Sequence, residues 1–527
     1  MAVEPKYVET TSLKNFNFTK ENIDSALKKL KTALGNEWAT DAPIILATYA
    51  RDFTPTPGRR PHIVCLPSTT EEVQSIVKIA VEHKLPVMTL TTGFNHGGCC
   101  LPRWGGIMVD LKRMDKILEI DEESMTITFQ PHVRIAAIYT EANKHFSIEN
   151  IKLRPANPIT MGSVSLLSNY ISGGASHMAY KSGNHHENIV SMTWVLPDGE
   201  ILVTGSKAYK TKGTIPVLGP GPDIGGMFLA AEGNFGICTE ITIKLFNEMP
   251  GEKIYMIIPK DEKPETKYDM EPLCDFYYKV SRENILHDIY KSHNRAFAAY
   301  AGPNSEDYIP TAPFHNITAT ITGINDEEVQ IKHERFMEIL NESAYEPVPD
   351  FVLETMFSAF GFTVEEAKRV MFKRCYSITK GMRWRGSFQW VAFPAKFNKI
   401  PELERVFRNI VKRHWTDYEP SKGFELSPFG VSLQGPFPLG RFIALEFDFF
   451  VDHGNPEDIK KFNVVFRKTI EEMVKRGAMV GRVVPFSHEI MYPYLGKYVE
   501  LVKKLKKEMD PRGLFSPDVM PINEEYI

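Results

Sequence analysis

The spacing of apolar positions divides the chain into stretches of different rhythm. Ile23, Leu27, Leu30 and Leu34 recur every three or four residues, which places them on one face of a helix. Thr19 stands where a side-chain oxygen caps the first turn, and Gly35 where a helix stops. A second helix is marked more strongly. Ser68, Thr69 and Thr70 precede Glu71 and Glu72, and Val73, Ile76, Val77, Ala80 and Val81 follow along one helical face. Residues 85–90 and 107–111 read as strands, while 91–98 between them is too rich in glycine and polar residues to be either element. Residues 125–129 and 237–245 alternate with period two, and 133–144 carries a helical pattern. The turn Pro197-Asp198-Gly199 between 194–196 and 201–203 predicts a hairpin.

Past Pro250-Gly251 the rhythm changes. Strands are predicted at 317–324, 388–393 and 442–449, and amphipathic helices at 327–340, 400–413 and 456–476. That mixture points to an antiparallel sheet with helices on one face. A last helix at 498–509 is stopped by Asp510-Pro511-Arg512-Gly513. The expected class is α+β. Its expected organisation is a two-lobed domain at 1–250, divided near 115, an inserted domain at 251–478 and a terminal segment at 479–527.

Composition narrows the class without identifying it. A chain of 527 residues exceeds one ordinary hydrophobic core, so several domains are expected. A net charge of −4 leaves no basic footprint for nucleic acid. The six cysteines show no C-x-x-C spacing, which argues against a zinc or iron–sulfur site. The start MAVEPKYVETTSLKNF has neither a basic leader nor an apolar stretch, and no run of about 18 apolar residues follows. A cytoplasmic enzyme without a membrane span is expected.

The loop Thr91-Thr92-Gly93-Phe94-Asn95-His96-Gly97-Gly98 is the first feature that suggests chemistry. Glycine lets backbone approach a ligand closely, and successive N–H groups can converge on an anion such as a pyrophosphate. The loop joins strand to strand, so it is not the G-x-G-x-x-G turn of dinucleotide-binding folds, and no Gly-Lys-Ser/Thr makes it a P-loop. Taken alone it reads equally well as a tight connection. Thr160-Met161-Gly162-Ser163, Glu232-Gly233-Asn234-Phe235-Gly236-Ile237 and Asp510-Pro511-Arg512-Gly513 follow in order and change that balance.

These elements in this order resemble the vanillyl-alcohol oxidase/p-cresol methylhydroxylase superfamily of FAD enzymes, over essentially the whole chain. The resemblance implies two FAD-binding lobes, an inserted substrate (cap) domain and a terminal segment that returns to the flavin. It implies that the backbone from Thr91, Thr92, Gly93 and Phe94 to Asn95, His96 and Gly97 cradles the diphosphate. Gly162, Ser163, Glu232, Gly236 and Ile237 would line the rest of the cofactor path, with His185 on the flavin side. His96 would either be joined covalently to the flavin's dimethylbenzene ring, as in several branches, or hydrogen-bond backbone or ribityl groups. The p-alkylphenol branch matches best through Leu85-Pro86-Val87, Gly93-x-Asn95 and Gly225-x-Met227-Phe228. However, the tyrosine that this branch places just after the loop asparagine is missing.

Arg482 resembles the arginine that relatives place against the flavin. A fixed cation there stabilises the reduced anion. His488 is the expected base, with Tyr492 and Tyr494 on the same segment. The adjacent His185-His186 diverge too far to share a metal. Lys380, Arg383, Trp384 and Arg385 form a cationic aromatic stretch that is either solvated surface or a site for an anion. The expected function is removal of a hydride from a C–H of a small alcohol, hydroxy acid or alkylphenol-like substrate by FAD. The expected protein is a homodimer that passes its electrons to oxygen or to an acceptor protein. Two rivals share the fold: a non-redox transferase resembling alkylglycerone-phosphate synthase, suggested by Gly221-Pro222-Asp223-Ile224, and a flavin subunit of a larger electron-transfer complex.

Overall fold

The computed structural model describes residues 16–517 and 519, except 57, 95–96, 146–151, 210–213, 218, 264, 295–312, 359–362, 365–384, 416–428, 483 and 485–486. Three sheets organise it. The first contains β1 (Ala39–Thr40), β2 (Ile63–Cys65), β3 (Val87–Leu90) and β4 (Ile107–Asp110) in the order β1-β2-β4-β3. β4 runs parallel to both β2 and β3. The helix Thr70–His83 connects β2 to β3, and Val73, Ile76, Val77 and Ala80 bury its apolar face. Its start is fixed as the sequence predicts: Thr69 Oγ1 accepts from the Glu72 N–H, and a Glu72 carboxylate oxygen accepts from the Ser68 N–H. The helix Lys20–Leu34, capped by Thr19 and ended at Gly35, packs on it.

The second sheet holds β5 (Ile117–Asp121), β6 (Thr126–Phe129), β7 (Lys152–Pro155), β8 (Ile189–Val195), β9 (Ile201–Gly205) and β10 (Ile237–Glu248). β10 is its spine: β6 and β7 share one edge of it in succession, and β8 pairs with the other. The predicted hairpin is β8–β9. The two sheets are tied directly, by Thr70 Oγ1 to Thr239 Oγ1 at 3.0 Å and by Gln74 Nε2 donating to the Gly199 carbonyl at 2.6 Å.

The third sheet is antiparallel throughout, in the order β14-β11-β13-β12-β16-β17-β15. Its strands are β11 (Gly251–Pro259), β12 (Asp288–Ser292), β13 (Asn316–Gly323), β14 (Tyr345–Pro347), β15 (Ser387–Ala395), β16 (Phe429–Gln434) and β17 (Ile443–Val451). The helices Glu271–Arg282, Asp326–Glu342, Ile400–His414 and Pro456–Lys475 supply the apolar side chains of one large core with it. Phe407 stacks on Phe447 with centroids 3.9 Å apart. The helices therefore cover one face, as expected. Because strand side chains alternate, Ala392 and Ala444 fall on the opposite face, where they pack against Ala175 and Ala179 of the N-terminal part.

The terminal segment returns across the molecule. Met479 and Gly481 donate backbone hydrogen bonds to Pro394 and Ala392 at the edge of β15, and Val87 and Ser516 exchange bonds with the 514–516 backbone and β3. Lys506 anchors that return. Almost fully buried, it donates to Asp510 at 2.8 Å and to the carbonyls of Asn234 and Phe515.

Candidate flavin and substrate site

The four motifs separated in sequence meet in space. The glycine loop leaves β3 with Gly93 at φ +74°, where an added Cβ would meet nothing nearer than the tip of Leu90 at 3.9 Å. Thr91 Oγ1 lies 2.7 Å from Ser168 Oγ, and Thr92 Oγ1 accepts from the Ser165 N–H at 3.2 Å. Ser165 and the helix Leu166–Ile171, which follow Gly162–Ser163 in the chain, thus sit against the loop. The loop 232–236 arrives from the other side. Glu232 and Gly233 hold left-handed backbone, and a Cβ on Gly233 would strike Ser516 Oγ at 2.6 Å and lie 3.7 Å from Thr89 Oγ1. Gly236 and Ile237 open β10, where any Cβ at 236 would come 2.5 Å from the Val195 carbonyl.

This cradle fits an anionic cofactor. Among the described residues, the N–H groups of Thr92 and Gly93 donate to no protein acceptor, which leaves them available to an anion. A Glu232 carboxyl oxygen is buried with no partner among the described residues. Burial raises its proton affinity and Arg482 opposes that rise. Asn95 and His96 lie outside the described residues.

Arg482 stands where the three parts meet. Its Nε donates to the Ser172 carbonyl at 3.4 Å, and its guanidinium lies 5.2 Å from the Trp390 ring on β15. Its charge acts on Glu232, His185 and Cys99 of the lobes and on Glu446 of the third sheet. His185 is buried and stacked on Tyr170 with centroids 4.4 Å apart. Desolvation drives its pKa down to about 3, so it is neutral. His186 makes a 3.2 Å contact with the Ile171 carbonyl. Among the described residues no three His, Cys, Asp or Glu side chains are grouped to hold a metal.

His488 and Tyr492 share the helix Ser487–Leu495 with their rings 5.4 Å apart. Burial first, then the charges of Arg103 and Arg467, lower His488 to about 4. An imidazole held neutral this firmly is a weak proton acceptor, which counts against the base predicted from sequence. Burial pushes Tyr492 up to about 12. Of the cationic stretch, only Arg385 is described, and it pairs with Asp458 rather than facing the site.

Sequence reasoning missed an acidic face. Glu446 and Asp448 alternate along β17 with Leu445, Phe447 and Phe449 of the core, so they point the other way, toward the lobes. Their signal was the apolar alternation itself, interrupted twice by acid in Leu445-Glu446-Phe447-Asp448-Phe449. Rings extend the same face. Phe388 meets Phe450 at 5.2 Å and Phe53 at 6.4 Å, and Phe53 meets Phe94 of the glycine loop at 4.9 Å.

The glycine loops, Arg482 and the acidic, aromatic face of the third sheet lie together, an arrangement that suits a flavoprotein oxidoreductase. A model of the FAD-binding domain matches residues 61–205. The flavoprotein subunit of 4-cresol dehydrogenase [hydroxylating] from Pseudomonas putida is 22% identical over 95% of each chain. The mitochondrial D-lactate dehydrogenase [cytochrome] 1 of Saccharomyces cerevisiae is 32% identical over 45% of this chain and 39% of its own. The structure of 4-ethylphenol oxidase from Gulosibacter chungangensis superposes with a TM-score of 0.83, covering 97% of this chain and 99% of that one at 18% identity. Over residues 61–205 the chain is similar to the FAD-binding domain, its fold is that of this solved structure, and its cofactor is FAD.

Proposed function

We propose that the lobes at 1–250 hold FAD, that the third sheet at 251–478 is the substrate cap, and that 479–527 closes the site between them. When bound, FAD supplies a ring that accepts a hydride, here from a C–H of a small alcohol, hydroxy acid or alkylphenol-like substrate. The backbone of 91–97 would take the diphosphate, and Gly162, Ser163, Glu232, Gly236 and Ile237 would line the cofactor path. Arg482 places a fixed positive charge where negative charge develops, with no reorganisation during reaction. His488 and Tyr492 shape the substrate side. The observation that carries this reading is the meeting of the glycine motifs and Arg482 against the acidic, aromatic face of the cap.

An electron-acceptor protein belongs to the proposal, since one relative is named as a flavoprotein subunit and another for a cytochrome. A cytoplasmic homodimer completes it. Anaerobic mixing of the FAD-loaded protein with a panel of alcohols, hydroxy acids and alkylphenols tests the reaction. Bleaching of the flavin by a member of the panel is expected. A protein bleached by dithionite, but by no member of the panel while it exchanges groups on an acyl substrate, would instead be a non-redox transferase.

A further inference from the structure

The return segment carries an exposed apolar corner that the reaction proposed above does not use. The helices Ser487–Leu495 and Lys497–Met509 are joined at Gly496, whose φ is +51°. The inner side of the second helix is accounted for: Val502, Leu505 and Met509 pack on the core of the second lobe, and Lys506 is buried against Asp510. The corner has no such cover. Tyr494, Leu495, Tyr498 and Leu501 are 59%, 37%, 66% and 58% exposed, and Pro493 beside them is exposed as well. Among the described residues, neither tyrosine side chain has a hydrogen-bond partner or a ring neighbour. A Cβ added at Gly496 would meet nothing within 4 Å, so the corner projects from the surface rather than lining a groove. Single apolar side chains at a surface are ordinary, but a run of them in one place marks a binding surface.

Charge indicates what covers it. Residues three and four apart on a helix are neighbours, so Lys497 and Lys504 flank Leu501. Lys503 and Lys507 add to them, against only Glu500 and Glu508 on the same helix, and Lys497 reaches Glu500 at 2.8 Å. This local excess of lysine belongs to a chain whose net charge is −4. We propose that the corner at 493–501 binds the surface of an anionic lipid bilayer. Tyr494, Leu495, Tyr498 and Leu501 would enter the headgroup region, where tyrosine and leucine side chains are well accommodated. Lys497 and Lys504 would lay their stems along that apolar surface and meet the anionic headgroups with their ammonium groups. The attachment is to the surface alone, since among the described residues no helix is long and apolar enough to cross a membrane. A second copy of the chain fits worse, because a two-fold contact through this corner sets lysine against lysine. An acidic protein would answer the lysines, but a projecting corner offers no recess to receive it. The inference uses no residue of the glycine loops and stands apart from the flavin reading.

Co-sedimentation of the purified, FAD-loaded protein with lipid vesicles tests this without requiring turnover. One set of vesicles is phosphatidylcholine alone, and the other is phosphatidylcholine with phosphatidylserine in a two-to-one ratio. At low salt the mixed vesicles should bind about tenfold more tightly than phosphatidylcholine alone, and salt at about 0.5 M should remove most of that difference by screening. The paired change Tyr498→Ser and Leu501→Ser should weaken binding to the mixed vesicles at least about tenfold. Lys497→Gln with Lys504→Gln should abolish the preference for phosphatidylserine, whereas Glu500→Gln should strengthen it about twofold to fivefold. All five side chains are exposed, so FAD content and the urea midpoint should match wild type. Equal binding to the two kinds of vesicle, no binding to either, or paired variants that stay within about twofold of wild type would each overturn the proposal. Retention on immobilised ferredoxin, an acidic protein, without vesicle binding and with loss of retention in the same variants, would overturn it in favour of a protein partner.

Discussion

The N-terminal lobes and the third sheet, read as the proposed cofactor and substrate sides, present their chemistry in opposite ways. The lobes offer backbone. Gly93, Glu232, Gly233 and Gly236 all hold positive φ, and in the proposed site the groups offered to the cofactor are backbone N–H donors. The cap offers side chains from regular strand, with Glu446, Asp448, Trp390 and Phe388 set on one face by simple alternation. Backbone recognition constrains residue type, because few residues other than glycine adopt those conformations. Strand recognition leaves the backbone unchanged whatever side chain is present. A fold of this kind can therefore keep one cofactor while the substrate face is rewritten.

The largest expected effect tests the backbone side. Lys506 holds Asp510, Asn234 and Phe515 together from a buried position. Lys506→Met leaves Asp510 as an uncompensated buried charge, which should cost about 3–5 kcal/mol. Urea denaturation should show the loss, together with weakened FAD retention as the 232–236 loop comes free. An unchanged midpoint would mean that the return segment is anchored by other contacts.

Arg482 joins the two regions, so its loss should affect chemistry rather than cofactor grip. Arg482→Met is expected to slow flavin reduction by roughly a hundredfold to a thousandfold, the scale of a lost preorganised donor, with FAD binding nearly unchanged. Equal losses of reduction rate and FAD affinity would move Arg482 to the lobes' side of the comparison.

A smaller effect sharpens the lobes' own account. His185, fully buried, has a folded pKa of about 3 against about 6.5 unfolded. The unfolded chain therefore binds more protons between those values. The stability this histidine contributes is complete above pH 6.5 and is lost as pH falls toward 3. His185→Phe should flatten the stability–pH slope in that window by about 1.4 kcal/mol per pH unit, read from urea midpoints at pH 6.5, 5.5 and 4.5. Parallel slopes for wild type and variant would show that His185 protonates in the folded state.

The same contrast explains what the sequence discloses. The glycine loops are legible because their geometry demands glycine, and the helices at 70–83 and 400–414 are legible because their apolar positions keep helical spacing. The strand at 442–449 is predicted, but its acidic face is not, since nothing in alternation says which of two buried faces meets a ligand. β12 is missed for a related reason. Asp288-Ile289-Tyr290-Lys291-Ser292 puts a lysine at a fully buried register position, where pattern reading expects an apolar residue. The helix Glu271–Arg282 does carry the spacing, in Leu273, Phe276, Tyr277 and Val280, and is unpredicted only because charged residues interleave it. His488 shows the other limit: its place on the segment is legible, but the burial and cations that make it a weak base are not.

The most direct measurement is a crystal structure of the purified, yellow protein. The account predicts one FAD, with its diphosphate on the N–H groups of Thr92 and Gly93 and its ring between Arg482 and the Glu446–Asp448 face of the cap. The same structure would show whether His96 is bonded to the ring or only hydrogen-bonded beside it. A nucleotide bound elsewhere, or a flavin whose ring is remote from both Arg482 and the cap face, would contradict the account.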